Sequence, residues 1–239
     1  MNKIIKSILT KISRVIFWIT PIEFRSSASR NKTLLVKKLS ENLCEETFNH
    51  FQKYFKKSLL FSQNQIREYA IKTSIENDKQ KKHYYLEFGT FNGTSANFFS
   101  KFITKLYCFD SFEGLNEDWA GSSLAKGKFN LNKKIPKLNS NVEPIVGWVE
   151  DTLDDFLKKH NPRINFVHMD MDTYSPTEFT LRRIKPYLAK NAIILFDELY
   201  NYQGWEFGEY KALNEIFKEN EFDYLAFELE SKRCAIKIR

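Results

Sequence analysis

The sequence predicts an α/β fold in which a mostly parallel sheet carries helices on both faces. Two observations lead there. Short apolar runs alternate with helix-patterned stretches from residue 83 to the C-terminus, the β-α-β rhythm of a parallel sheet. The chain has 239 residues, 42% of them hydrophobic and 15% aromatic, enough for one substantial core and short for two.

Taken in order, "MNKIIKSILTKISRVIFWIT" has Ile4, Ile5, Ile8, Leu9, Ile12, Val15, Ile16, Trp18 and Ile19 on one half of a helix, with Lys3, Lys6, Lys11 and Arg14 mostly opposite. It reads as a basic amphipathic helix ending near Pro21. Lys11 and Arg14 interrupt it too early for a signal peptide, and it lacks the run of about 18 apolar residues that spans a bilayer. Such a helix either lies on anionic lipid through residues 1–20 or packs on the domain or a second subunit. The expected organisation is a basic segment over residues 1–40 and one domain over 41–239.

Helical spacing continues through "ENLCEETFNHFQKYFKKSLLF" and "NQIREYAIKTSIEN". Strand-like runs follow at "HYYLEF", "KLYCFD", "EPIVGW", "INFVHMD" and "AIILFD", separated by helix-like "SANFFSKFI", "DTLDDFLKKH" and "PTEFTLRRIKPYL". A helix from about Glu209 to Glu219 and two strands, "FDYLAFELE" and "KRCAIKI", end the chain. Their short link near Ser231 predicts a hairpin and an antiparallel edge. Residues 111–141 are a polar insertion of the length used for lids and binding loops.

The net charge of +7 does not indicate nucleic acid, because residues 1–40 hold nine Lys or Arg against Glu23 alone. The remainder carries 28 basic and 29 acidic residues and is almost neutral. Cys44, Cys108 and Cys234 are far apart and lack metal or disulfide spacing, which fits a reducing cytoplasm.

In open α/β sheets ligands bind beyond the carboxyl ends of the strands. "LEFGTFNGTS" ends one strand and opens a helix: Gly89 and Gly93 allow close backbone approach, while Thr94, Ser95 and free N–H groups suit a carboxylate. Its E-x-G-x-x-x-G spacing, from Glu87 to Gly93, departs from the dinucleotide fingerprint. Asp110 ends the next strand, where an acidic residue accepts both hydroxyls of a ribose, so an adenosine-containing ligand is expected. Trp148 ends the third strand, placed either to cover an adenine face or to pack in the core. Asp170 and Asp172 end the fourth and Asp197 and Glu198 the fifth, carboxylates that need a positive charge among them. Because 170 and 172 share strand parity while 197 and 198 do not, at most three of the four are expected to ligate a hard divalent cation, Mg²⁺, and Asp170, Asp197 and Glu198 are taken as that trio. Asp172 either caps the next helix or acts as a base, and His168 reads as a core residue.

Together, "YLEFGTFNGTS", "FDSFEGL", "KGKF", "GWVEDTLDDFL", "HMDMDTYSPT" and "FDELYNYQGWEFGEYKA" resemble the macrocin O-methyltransferase family over residues 83–218. The resemblance implies the Rossmann-like class I methyltransferase fold, seven strands with an antiparallel last strand, and S-adenosylmethionine as donor. The donor is then expected on Glu87, Gly89, Thr90, Phe91, Gly93 and Ser95, with its methionine end on the Gly89–Ser95 turn, its ribose at Asp110 and Ser111 and its adenine at Trp148. The resemblance also implies the metal trio Asp170, Asp197 and Glu198, although Asp-Glu stands here where the family more often has Asp-Asp. Related enzymes draw the base from the loop after the second strand, which makes Glu117 and Asp118 candidates beside Asp172 and Asp170.

The expected activity is O-methylation of a sugar hydroxyl in a glycan or glycosylated metabolite, such as a surface polysaccharide, in the cytoplasm or at the inner membrane face. A metal-independent methyltransferase for another hydroxyl or amine is the alternative enzyme, and a non-catalytic nucleotide-binding scaffold the alternative class. A homo-oligomer is compatible with either.

Overall fold

The computed structural model describes residues 27–62, 65–79 and 82–239. The expected amphipathic helix at residues 1–20, with its proposed lipid contact, lies outside them. The chain forms two compact units, Met1–Glu46 and Thr47–Arg239, and the boundary falls inside helix α1, Ser27–Phe55. Among the described residues no helix is long and apolar enough to cross a membrane.

The second unit is built on one eight-stranded sheet. Its strands are β1 Leu59–Phe61, β2 Tyr84–Phe88, β3 Leu106–Asp110, β4 Val142–Val146, β5 Ile164–Met169, β6 Leu188–Phe196, β7 Phe222–Glu228 and β8 Cys234–Ile238, in the spatial order β1-β7-β8-β6-β5-β2-β3-β4. Helices α2 Gln65–Asn77, α3 Thr94–Phe99, α4 Val149–His160, α5 Tyr174–Ile184 and α6 Glu209–Ile216 lie between them. All six residues of β5 are buried, as a continuous apolar run flanked on both faces must be. Helix α4 has Glu150 and Asp151 in its first turn and Lys158, Lys159 and His160 in its last, each sign facing the favourable end of the helix dipole.

Two details differ from the sequence reading. Leu59–Phe61, expected to end a helix, forms β1 and pairs in parallel with β7, adding an eighth strand and covering what would have been an open edge. The antiparallel strand is also internal. β8 pairs antiparallel with both β6 and β7, so it alone runs against the sheet.

Strand order reverses around β2, which has β3 on one side and β5 on the other. A crevice opens there at the carboxyl ends of the strands. The seam beneath it is tight: Gly89 N–H donates to Phe109 O at 2.9 Å, and Asp170 N–H donates to Phe88 O at 2.8 Å.

Candidate active site

A cavity of about 550 Å³ lies at this reversal. Gly89, Thr90, Phe91, Ser95, Asp110, Ser111 and Trp148, all expected at a donor site, line it. Glu87 and Gly93 do not. Glu87 is fully buried inside β2, with Oε1 2.9 Å from His168 Nδ1, because its position in the strand aims it beneath the cavity. Gly93 has φ +78°, and a Cβ there would meet the Leu138 side chain at 2.7 Å, so it serves the turn geometry.

Asp110 shapes this end. Its Oδ2 accepts the N–H groups of Thr90 and Phe91 at 2.8 and 2.7 Å, and its Oδ1 accepts Phe112 N–H at 2.6 Å. One carboxylate thereby joins the glycine turn to the insertion. Residues 111–141 form neither helix nor strand and fold on turns, burying Phe112, Leu115 and Trp119.

The base candidates in that insertion are placed elsewhere. Glu117 accepts Ser175 N–H and Oγ–H at 2.9 and 2.8 Å, capping the start of α5, and Asp118 accepts Lys126 N–H at 2.8 Å. Neither lines the cavity, whereas Asp170 and Asp172 do. Asp172 sits at φ +62°, outside any strand, so strand parity does not govern where its carboxyl points.

The acids divide into two groups. In the first, Asp197 accepts Arg67 Nη2 at 2.7 Å and Arg233 Nε at 2.6 Å on Oδ1, Arg233 Nη2 at 3.2 Å on Oδ2, and lies 3.3 Å from His168 Nε2. Arg233 Nη1 also reaches Glu228 at 2.8 Å. Burial alone would raise the Asp197 carboxyl, but the His168 hydrogen bond and the charges of His168, Arg67 and Arg233 hold it far below the usual range. Burial alone would lower His168, yet its hydrogen bonds to Asp197 and Glu87 push it up to about 9, so the imidazole is charged at neutral pH. Three cations, Arg67, Arg233 and His168, thus answer three anions, Asp197, Glu87 and Glu228. Asp197 belongs to this ion cluster and does not line the cavity, and with His168 and Asp170 it also forms a group whose ligand atoms lie within 4.8 Å of one another.

The second group is only partly compensated, with His168 Nε2 4.0 Å from Asp170 Oδ2. Asp170, Asp172 and Glu198 each offer an oxygen within 4.8 Å of the others. Burial, then the charges of Asp197 and Glu198, raises Asp170; burial and Asp170 push Asp172 up to about 8; burial and Asp197 raise Glu198. Glu198 Oε2 is buried without a hydrogen-bond partner. The cation nearest this group among the described residues is Lys232, whose Nζ lies 3.9 Å from Glu198 Oε1 and over the rings of Trp119 and Tyr202. Behind them Glu209, fully buried at the start of α6, accepts Glu198 N–H at 3.1 Å.

Arg67, Glu209, Lys232 and Arg233 were not singled out from sequence. The only local cue was a basic pair at the β7–β8 hairpin tip, next to the acidic end of β6.

Residues 86–199 match the family described as a methyltransferase domain. No curated protein matches the chain. Among solved structures it is similar to the calicheamicin methyltransferase CalS11, at 19% identity and TM-score 0.58, covering 89% of this chain and 93% of that one. The apo form, described as a TDP-rhamnose 3′-O-methyltransferase, gives 16% and 0.51 over 91% and 99%. The O-methyltransferase NovP gives 17% and 0.55 over 73% and 78%. At these identities the likeness is one of fold.

Proposed function

We propose that the chain is a class I S-adenosylmethionine-dependent methyltransferase that methylates a hydroxyl of a sugar, in a glycan or a glycosylated metabolite. The observation that carries the proposal is one cavity lined at one end by the glycine turn, Asp110 and Trp148 and at the other by three clustered carboxylates. Two of the fold relatives are described as acting on a sugar nucleotide or as an O-methyltransferase, which supports the substrate class.

Methyl transfer from a sulfonium to a hydroxyl is an in-line displacement that needs alignment and removal of one proton. The Gly89–Ser95 turn holds the methionine end, Asp110 the ribose and Trp148 the adenine edge. The acceptor lies against Asp170, Asp172 and Glu198. Asp172, pushed up to about 8, is the base candidate among these acids and becomes able to accept the hydroxyl proton as the pH rises towards that value.

The second group also fits a divalent cation. Its carboxylates are hard oxygen donors, and the orphaned Glu198 Oε2 is a ligand atom without a partner. Asp170, Asp172 and Glu198 would hold Mg²⁺, with Asp172 taking the place expected for Asp197. When bound, the ion supplies Lewis-acid polarisation of the acceptor oxygen.

Extracts given radiolabelled S-adenosylmethionine and the enzyme should yield label in a sugar-containing product; label confined to protein, lipid or nucleic acid would reject the proposal. Full turnover in excess EDTA would leave the fold and donor site standing but remove the cation.

A second expectation concerns stability. The Asp172 carboxyl keeps its proton up to about 8 in the folded protein, against an ordinary value of 3.8. Its contribution is therefore complete below about 3.8 and is lost as the pH rises through 8. In EDTA, denaturant melts should show stability falling over that window. Mg²⁺ should flatten the fall in the wild type and not in Glu198→Gln, whose Mg²⁺ affinity by calorimetry should drop at least about tenfold.

A further inference from the structure

We propose that Arg67 is a donor-binding residue whose guanidinium holds the carboxylate of the methionine end of S-adenosylmethionine. The inference rests on the donor site described above and adds to it a residue from outside its motifs.

The topology brings Arg67 there. Strand β1 runs parallel to β7, so α2, which follows it, begins at the same edge of the sheet as the glycine turn and α3. Arg67 stands in the first turn of α2 and lines the same cavity as Gly89, Thr94 and Ser95, with 20% of its side chain exposed. Among the described residues the cavity has two cationic lining groups, Arg67 and Lys232. Lys232 is engaged with Trp119, Tyr202 and Glu198 on the carboxylate side.

Arg67 has donor capacity to spare. Asp197 already takes two hydrogen bonds from Arg233, and among the described residues Arg67 uses Nη2 alone on it. Its Nε is buried and has no partner among the described residues, so a rotation of the guanidinium would be needed to bring it to a ligand. The methionine end is a zwitterion, and its carboxylate needs a cation that the acidic wall cannot supply. A planar guanidinium matches a carboxylate in a two-pronged contact. The ammonium then faces the acids.

Calorimetry with two probes tests this: S-adenosylhomocysteine, which has the amino-acid end, and 5′-methylthioadenosine, which keeps the adenosine and lacks it. Arg67→Gln should weaken S-adenosylhomocysteine at least about tenfold and leave 5′-methylthioadenosine within about twofold. Arg67→Lys, retaining charge without the fork, should fall between and carries the same comparison if Arg67→Gln does not fold. Equal weakening of both probes would mean that Arg67 only supports Asp197, and no weakening of S-adenosylhomocysteine would equally overturn the role. A wild-type protein that binds neither probe would overturn the donor site itself.

Discussion

Asp197→Ala should lower the unfolding free energy by about 3–5 kcal/mol, because it removes the anion common to Arg67, Arg233 and His168 and leaves three cations facing two anions, Glu87 and Glu228. Urea melts in EDTA measure it. The same substitution at a residue that mainly ligated a cation would have another signature: little change without metal and loss of the metal-induced stabilisation. Glu198→Gln should show that second signature. If Asp197→Ala melts like the wild type in EDTA and loses Mg²⁺ binding as completely as Glu198→Gln, the division into an ion cluster and an open carboxylate group is wrong. Asp197→Asn is the milder companion, keeping the shape and one acceptor while removing the charge.

Gly89→Ala is expected to be nearly as damaging for a steric reason. Gly89 has φ +86°, and a Cβ would stand 1.7 Å from the Asp170 carbonyl oxygen, a backbone atom fixed in the β2–β5 seam. Relief requires moving either the donor turn or the strand end that presents Asp170. Donor affinity should fall by at least about a hundredfold in whatever folds, since left-handed strain alone costs about 1–3 kcal/mol and the overlap adds to it. Gly127→Ala is the control. Its φ is +83°, but nothing lies within 4 Å of the added Cβ, so it feels backbone strain alone. Equal effects of the two substitutions on S-adenosylhomocysteine binding would dispose of the steric account.

The sheet and most of the donor wall were legible because their signals are local. Buried parallel strands are continuous apolar runs, and a strand that ends in Gly or Asp before a helix announces its carboxyl end. Leu59–Phe61 was missed because three apolar residues continue the preceding helical spacing, and only the edge of β7, reached late in the chain, makes them a strand. Strand parity puts Asp170 and Asp172 on one face without choosing the ligands, and Asp172, past the strand with a left-handed backbone, does stand near Asp170. Asp197 is claimed by Arg67, 130 positions away, and by Arg233 across the β6–β8 pair, contacts no short window contains. Glu117 and Asp118 sit in the expected insertion, but helix α5 and the insertion's own backbone take their oxygens.

The three N–H groups that converge on Asp110 bear on the entropy of binding. Thr90 and Phe91 on one wall and Phe112 on the other are tied to one carboxylate, so the ordering of that part of the pocket is completed during folding. A ligand entering such a preorganised cleft leaves the protein little conformational freedom to lose.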